Sequence, residues 1–309
     1  MKRFLTYSAL FLAIMTGIVT VAEVVARHYP NSYAYKKQWM DRNAERVRTL
    51  VLGGSHTYYA VKPDMLGADA FSLANVSQAP EYDYWLLRTY IDRCKHLRTV
   101  VMVADEANFF DRPMEEEAIE WYRCRYYRMY MGYPKHSVWS KYNFECTDVG
   151  TFSRKLLPAL KFLMTGKYQL ECDSVGFGNS FDTPGHFDEK RMAQLAVGVA
   201  ERHRCTDWSQ VSRNLADVMA LARLCQQRHV RLILVTPPMW KGFVQKVSRR
   251  QLRAMRWCIA KVQKATGALY ADYLLDPRFQ GTDFHDPDHL SKQGAVKFTA
   301  ILRHDFGGF

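Results

Sequence analysis

Two short stretches, far apart in the chain, contain the residue types that nucleophilic chemistry requires. In "TLVLGGSHTYYAVKP", Ser55 follows an apolar run and two glycines, so a sharp turn would project its hydroxyl from the end of a strand. In "DFHDPDHLSKQGA", Asp286 precedes His289 by three residues in a loop that Pro287 stiffens. Hydrolysis or transfer of an ester needs a hydroxyl nucleophile, a histidine that accepts its proton and a carboxylate that orients the histidine. We therefore expect Ser55, His289 and Asp286 to form a catalytic set.

Each stretch also allows a simpler interpretation. Gly-Gly-Ser after a strand is a common tight turn, and aspartates before a helix often cap it. Asp283 and Asp288 are alternatives for the orienting carboxylate, and His285 is an alternative base. Asp286 is preferred because adjacent residues, such as Asp288 and His289, rarely face each other. The same cluster of histidines and aspartates could bind a metal. However, the usual zinc motifs are absent from the sequence, so neither a metal nor another cofactor is expected.

The elements that position these residues are indicated by short apolar runs that alternate with helical patterns. The predicted strands are residues 48–54, 70–75, 99–104, 230–236 and 268–273. The predicted helices are residues 82–94, 210–228 and 248–265, and a last helix from Ser291, its expected N-cap, to about residue 303. Such strands predict a three-layer α/β/α sandwich with a five-stranded parallel sheet of flavodoxin-like type. Reactive groups gather at the carboxyl ends of parallel strands, where Ser55 lies.

The N-terminus has the length and composition of a membrane anchor. Lys2 and Arg3 precede an uncharged run over residues 4–22, and Glu23 ends it. A bilayer span needs about 20 apolar residues, whereas the core of a signal peptide has about 7 to 15. Residues 1–26 are therefore predicted to be an anchor or uncleaved signal that contacts the inner membrane through residues 4–25. The basic start favours a cytoplasmic N-terminus, which puts the globular domain in the periplasm or outside the cell.

The rest of the chain is predicted to contain a connector and one α/β domain. Residues 27–46 form a juxtamembrane connector, and residues 47–309 form the α/β domain with an aromatic-rich insertion at about 110–207. The aromatic residues of the insertion either form its own core or line a groove for a sugar or acyl chain. Among the seven cysteines, those in the middle of the chain could form a disulfide in an oxidising compartment.

The formal net charge of +12 is spread along the chain. The densest run, "RRQLRAMRW", is interrupted by apolar residues at helical spacing and is interpreted as a solvated helix face. Attraction to anionic lipid or to an acidic envelope polymer is the alternative. The sequence contains no motif or repeat of a nucleic-acid-binding module, so no nucleic acid is expected as a partner.

Taken together, "LGGSH" after the first strand and "DPDHLSKQGA" before the last helix resemble the first and last blocks of the SGNH/GDSL hydrolase superfamily. The stretch "AFSLANVSQAP" falls where that superfamily has its second block. The resemblance covers residues 47–109 and 210–305. It is closest to the membrane-anchored bacterial branch, which includes the D-alanine-transfer protein of teichoic acid modification and the alginate O-acetylation proteins.

The resemblance implies a role for individual residues. Ser55 would be the nucleophile, His289 the general base and Asp286 its orienting partner. The backbone N–H of Ser55 would be one donor of the oxyanion hole. Ser77, at the position of a glycine in the second block, would be another donor through its backbone N–H.

The third block departs from the superfamily's pattern. An asparagine usually completes the oxyanion hole there, but this sequence reads "VADEANFF", with Asp105 and Glu106 at the motif position and Asn108 just beyond. Because a carboxylate repels an oxyanion, either Asn108 takes over the role or the hole is weakened. The expected substrate-binding side chains are His56, Gln78 and Glu106, although His56 could instead hydrogen-bond within the turn.

The sequence thus supports two hypotheses of different classes. The first is an extracytoplasmic, membrane-anchored serine esterase or O-acyltransferase that acts on acyl esters of a cell-envelope or exported glycan. Its partners would be the acylated glycan or an acyl-donor protein. The second is a non-catalytic scaffold or glycan-binding protein of envelope assembly that retains the fold.

Overall fold

The computed structural model describes residues 1–116, 120–179, 181 and 187–309, which form two compact units. The helical unit comprises Met1–Lys37 and Glu117–Leu170, and the sheet unit comprises Gln38–Glu116 and Glu171–Phe309. Two of the boundaries, after residues 116 and 170, fall within residues 110–207, which the sequence groups as one insertion, and the third, after residue 37, falls within the predicted connector of residues 27–46. Residues 117–119, 180 and 182–186 of that insertion lie outside the described residues.

Five parallel strands form the centre of the sheet unit, in the order β2-β1-β3-β4-β5. The strands are β1 Thr49–Leu52, β2 Ala70–Ser72, β3 Thr99–Val103, β4 Arg231–Thr236 and β5 Leu269–Asp272. Each lies inside a run that the sequence predicts as a strand, so the five-stranded parallel sheet of the predicted fold class is confirmed. This strand order has its switch point between β1 and β3, where the carboxyl ends of the strands border a crevice.

Helices surround the sheet and make up most of the helical unit. The α-helices, in chain order, are α1 Lys2–His28, α2 Ser32–Asn43, α3 Ser55–Tyr58, α4 Pro63–Leu66, α5 Pro80–Tyr90, α6 Glu106–Phe110, α7 Arg123–Tyr126, α8 Val149–Thr165, α9 Glu189–Arg202, α10 Ser209–Gln227, α11 Lys241–Val244, α12 Arg249–Thr266 and α13 Lys292–Phe306. The predicted helices correspond to α5, α10, α12 and α13. Ser291 caps α13 as expected, because its Oγ accepts the backbone N–H of Gly294 at 3.2 Å.

Both faces of the sheet are buried. Side chains alternate between the faces along each strand. On one face, Val51, Val101 and Ile233 pack with Leu66 of α4 and Phe298 of α13. The alternate residues of β1, β3 and β4 face the opposite side and are equally buried, and α10 there packs against β4, α5 and α12. This double burial explains why the strands are continuous apolar runs.

In the helical unit, α1 is 27 residues long and mostly exposed, with a mean hydropathy of 2.2 over its most apolar window. Within the described residues it is the one helix long and apolar enough to cross a membrane, and an N-terminal signal sequence meets the same criteria. Aromatic rings of the unit lie against one another, for example Tyr33 and Tyr127 with ring centroids 5.1 Å apart. All seven cysteines are free thiols, so the disulfide that the sequence allows is not formed.

Candidate active site

Ser55 begins α3 directly after the glycine pair that ends β1. Gly53 has φ +125°, a left-handed conformation that residues with a side chain rarely adopt. A Cβ atom at this position would also meet the side chain of Thr57. A Cβ on Gly54 would lie 3.4 Å from the carbonyl oxygen of Gln78, so the Ser55 turn runs beside the loop that follows β2. The two glycines therefore allow the sharp turn that brings Ser55 to the carboxyl edge of the sheet.

The loop before α13 is closed by a β-bridge between Phe284 and Leu290. Inside it, Asp286 Oδ1 accepts the backbone N–H groups of Asp288 at 3.1 Å and of His289 at 2.9 Å. The loop thus fixes the Asp286 carboxylate next to the backbone of His289, as the sequence spacing predicts.

The loop and the turn bring the three expected residues together. His289 Nε2 lies 2.9 Å from Ser55 Oγ, and His289 Nδ1 lies 2.9 Å from Asp286 Oδ1 and 3.1 Å from Asp286 Oδ2. With the Nδ1–H donating to Asp286, the Nε2 atom accepts the hydroxyl proton of Ser55. Ser55, His289 and Asp286, called the triad below, have the hydrogen-bond order that a serine nucleophile requires.

The alternative residues are placed elsewhere or in a different role. Asp283 forms an ion pair with Lys297 at 2.8 Å and accepts the backbone N–H of Gln280. His285 is exposed, and its ring stacks on Phe181 with centroids 4.3 Å apart. Asp288, the remaining alternative, does approach the base.

Asp288 belongs to a chain of alternating carboxylates and imidazoles beside the triad, which is buried except for the partly exposed His203. His56 Nδ1 lies 2.6 Å from Asp105 Oδ2, and His56 Nε2 lies 3.3 Å from Asp288 Oδ2. The same Asp288 oxygen lies 3.2 Å from His203 Nε2. Asp288 Oδ1 lies 3.4 Å from His289 Nδ1. We call Asp105, His56, Asp288 and His203 the histidine chain.

The charges in the histidine chain compensate one another. Burial alone would lower the pKa of His56, but the Asp105 carboxylate, with its hydrogen bond, and Asp288 raise it well above 6.5. Burial also opposes protonation of His203, whereas Asp111 and Asp288 raise its pKa to about 10. The chain therefore holds two carboxylates and two imidazolium groups at neutral pH. The Asp105 charge, which would repel an oxyanion, is paired with His56.

Two carboxylates, Asp288 and Asp286, influence the pKa of His289. Burial lowers the pKa of His289, but the charges of Asp288 and Asp286, together with their hydrogen bonds, raise it above 6.5 overall. Asp288 itself stays ionised, because the charge of His289 and the hydrogen bonds from His203, His289 and His56 outweigh its burial and hold its pKa well below 3.8. The His289 imidazole consequently binds its proton more tightly than an exposed histidine does.

The residues of the third block lie at the end of β3. Asp105 Oδ1 accepts the backbone N–H of Asn108 at 3.0 Å and caps α6. In the amide orientation that satisfies its neighbours, Asn108 Nδ2 donates to the Val103 carbonyl at 2.7 Å and to Asp105 Oδ1 at 3.0 Å. Glu106 is 1% exposed and neither of its carboxylate oxygens has a hydrogen-bond partner. Burial and the charge of Asp105 raise the pKa of Glu106 to about 7.

The second block supports the Ser55 turn from the other side. Ser77 has φ +57°, and the adjacent Gln78 is 3% exposed. Gln78 Nε2 donates to Asp83 Oδ1 at 2.5 Å, and Asp83 also accepts the backbone N–H of Gly53. Burial raises the pKa of Asp83 to about 8, although these two hydrogen bonds lower it. Asn75 completes the connection, because its N–H donates to the Gly53 carbonyl at 3.2 Å.

A metal ion could be held by His56, Asp288 and His289, whose ligand atoms lie within 4.8 Å of one another. In the present arrangement both ring nitrogens of each of these histidines already face hydrogen-bond partners.

The sequence analysis predicted the three residues of the triad but did not identify His203 and Asp83. His203 follows α9 and Asp83 lies in α5, and neither has a local sequence signal that distinguishes it from other polar helix residues.

Comparison with known proteins gives similar folds at low identity. No protein-family model and no curated protein matches the sequence. Similar solved structures include a protein assigned as an acylhydrolase from Bacteroides fragilis, which is 11% identical with a TM-score of 0.40; the match covers 88% of this chain and 95% of that chain. A protein assigned as lipolytic and of the GDSL family, from Desulfitobacterium hafniense, is 10% identical with a TM-score of 0.40, covering 84% and 98% of the two chains. A catalytic mutant of an acetylxylan esterase from Geobacillus stearothermophilus is 11% identical with a TM-score of 0.38, covering 85% and 95%.

Proposed function

We propose that the chain is a serine esterase or O-acyltransferase of the SGNH type that acts through an acyl-serine intermediate. The observation that carries the proposal is the continuous hydrogen-bond order from Ser55 Oγ through His289 to Asp286 at the carboxyl edge of a parallel sheet. The apolar α1 and the resemblance to membrane-anchored proteins support a single-pass location in the inner membrane, with the triad outside the cytoplasm. Acyl esters of a cell-envelope or exported glycan are the proposed substrates.

In this mechanism Ser55 Oγ attacks the carbonyl carbon of the ester while His289 Nε2 takes the hydroxyl proton. The carbonyl oxygen becomes an oxyanion, and Asp286 stabilises the imidazolium that forms. The intermediate collapses when the bond from carbon to the leaving oxygen breaks and His289 returns the proton to that oxygen. Water or a glycan hydroxyl then attacks the acyl-serine by the same steps in reverse, which gives hydrolysis or transfer.

The backbone N–H groups of Ser55 and Ser77 are the proposed donors to the oxyanion. The side-chain amide of Asn108 is engaged by Val103 and Asp105, so in this proposal the backbone donors carry the stabilisation. The pairing of Asp105 with His56 supports activity despite a carboxylate at the third block, because the imidazolium offsets the negative charge.

Hydrolysis of p-nitrophenyl acetate by the full-length chain in detergent tests the proposal. Ser55→Ala is expected to reduce kcat/KM by at least about 10³-fold, since it removes the nucleophile. Ser153→Ala is the matched control, because it removes an exposed hydroxyl of helix α8, which belongs to the helical unit and not to the sheet unit that carries Ser55; its rate should stay within about threefold of wild type. Equal rates for wild type and Ser55→Ala would contradict the proposal and favour the non-catalytic scaffold.

Transfer and hydrolysis are distinguished by the acceptor. A transferase should place acyl groups on a glycan only when an acyl donor is supplied, such as an acyl-donor protein. A hydrolase should release free acid from a glycan that is already acylated. Both reactions should be lost in Ser55→Ala.

A further inference from the structure

Helix α8 of the helical unit turns a row of large apolar side chains outwards. At 100° per residue, these positions fall on one face of the helix. The face comprises Val149, Leu157, Leu160, Leu163 and Met164, with exposed fractions of 73%, 60%, 49%, 57% and 85%. Outside this face lie Ala159, which is fully buried, and Lys155, which pairs with Glu145. An apolar face of this extent is unusual on a surface that contacts only water.

This apolar face is continuous with that of α1. Leu156 and Leu160 of α8, together with α1 residues between Ile14 and Val25, line a groove of about 530 Å³. All of the lining side chains are apolar or glycine. An apolar medium that surrounds the exposed side chains of α1 would therefore also contact Leu156 and Leu160 of α8.

A clamp at Glu23 ties the start of α8 to the end of the apolar run of α1. The Glu23 carboxylate accepts Arg27 Nε at 2.7 Å and the backbone N–H groups of Glu145 at 2.9 Å and Cys146 at 2.8 Å. Asp148, two residues further, caps the N-terminus of α8. An ionised side chain is costly inside the hydrocarbon, so the apolar run of α1 is expected to leave the hydrocarbon near Glu23. The clamp therefore holds the start of α8 next to the residue at which this boundary is expected.

Residues typical of a membrane interface lie next to the end of α1 and on α8. Trp139 is 85% exposed and lines a second groove with Thr20 and Val24 of α1. Tyr168, just beyond α8, is 54% exposed, and its ring contacts Phe162, which in turn contacts Tyr29 at the end of α1. Lys161 is an exposed residue of α8. Tryptophan, tyrosine and lysine are the side chains that concentrate at the headgroup level of bilayers.

We propose that α8 is a second membrane-contacting element, an amphipathic helix that lies in the bilayer interface beside α1 with its apolar face in the acyl chains. This inference rests on the anchoring of α1 given under Proposed function. Lipid is the favoured occupant because the face is continuous with α1, begins at the charged clamp and is flanked by interfacial side chains. A second copy of the chain or another protein on this face would not account for its continuity with α1, for the charged clamp where it begins or for the interfacial side chains beside it.

Photocrosslinking of the full chain tests this proposal. The chain is reconstituted into vesicles of phosphatidylcholine and phosphatidylglycerol that contain a phosphatidylcholine with a diazirine in its acyl chain, and adducts are mapped by peptide mass spectrometry. Adducts are expected on α1 and on α8. Helix α9, whose Val197 is 58% exposed, is the internal control for apolar exposure alone and should give few adducts.

A paired variant removes the apolar character without touching buried residues. Leu163→Asp combined with Met164→Asp should lower the adduct yield on α8 by about fivefold or more, because charged side chains leave the acyl region, while the yield on α1 stays constant. Adducts on α1 with none on α8, or equal yields on α8 and α9, would overturn the inference. Absence of adducts from α1 would instead refute the anchoring on which it rests.

Discussion

His289 has carboxylates on two sides of its Nδ1 atom, and their contacts assign them different roles. Asp286 is held by backbone N–H groups of its own loop and is the closer partner. Asp288 directs its other oxygen to His56 and His203, so its charge is shared among several cations. In the proposed mechanism Asp286 therefore orients the base His289, whereas Asp288 is a positioning residue that links His289 to the histidine chain.

The pH dependence of the reaction follows from this arrangement. The base must be neutral to accept a proton, and the pKa of His289 is raised above 6.5, so the acid limb of kcat/KM should lie above pH 6.5. Asp288→Asn removes one of the two charges that raise the pKa, and the limb should shift to lower pH. Profiles of p-nitrophenyl acetate hydrolysis between about pH 5 and 9 measure this shift.

Asp286→Asn provides the comparison for that profile. It should lower kcat by about 10³-fold at every pH, because the imidazole loses its orienting acceptor. A limb that does not move in Asp288→Asn would show that Asp288 has no influence on the base. A loss in Asp288→Asn as large as that of Asp286→Asn would make Asp288 the orienting residue.

At the scale of elements, the turn after β1 positions Ser55, the proposed nucleophile. Gly53 combines a left-handed backbone with close contact to Thr57, and its N–H and carbonyl bond to α5 and to the loop after β2. The position therefore requires glycine both for its conformation and for space. The same turn joins the sheet core to Ser55.

Gly53→Ala should accordingly affect both stability and activity. The expected loss in free energy of unfolding is about 2 kcal/mol, with a marked loss of esterase activity, because the backbone is forced out of its favoured conformation. Gly67→Ala is the matched control: a Cβ there would meet no atom within 4 Å, and its φ of 165° is extended backbone. Thermal unfolding in detergent measures both variants. Equal melting temperatures would contradict this account of the turn.

The strands and helices could be predicted because their sequence signals are local. The histidine chain could not be predicted, because its residues come from distant segments. Apolar runs and capping residues gave each strand of the sheet and the start of α13 to within a few residues. The three-residue spacing of Asp286 and His289 predicted their contact, because both residues lie in one loop. The partnership of His56 with Asp105 and Asp288 joins three separate segments, and His203 adds a fourth. Contacts of that kind depend on tertiary structure and leave no periodic trace in the sequence.

At the scale of the whole molecule, the sheet unit buries ionisable groups whose protons are retained on folding. The pKa of Asp83 is raised to about 8 and that of Glu106 to about 7, in both cases by burial first. The pKa values of His56 and His203 are also raised. In each case the folded state binds a proton that the unfolded state releases at lower pH, so stability falls as pH rises through these ranges. The melting temperature should therefore decrease between about pH 6 and 9.

Asp83→Asn isolates one part of this dependence. At pH 5 the carboxyl of Asp83 is protonated in the folded state, whereas it is already ionised in the unfolded chain. Between pH 5 and pH 9 the wild type should lose about 4 kcal/mol of stability relative to the variant, because the folded state holds this proton over about three pH units, up to its pKa of about 8, and the neutral amide of the variant does not titrate. Chemical denaturation at the two pH values measures the difference. A stability difference between the variant and wild type that is the same at pH 5 and pH 9 would contradict the raised pKa of Asp83.

The central claim is that Ser55 is a nucleophile activated by His289, and mapping of a covalent adduct tests it most directly. The full-length chain is treated with a fluorophosphonate probe at pH 8, digested, and the modified peptide is identified by mass spectrometry. The account predicts a single modified residue, Ser55, with labelling slowed by at least about 10²-fold in His289→Ala. Modification at another residue, or a rate unchanged in His289→Ala, would contradict it.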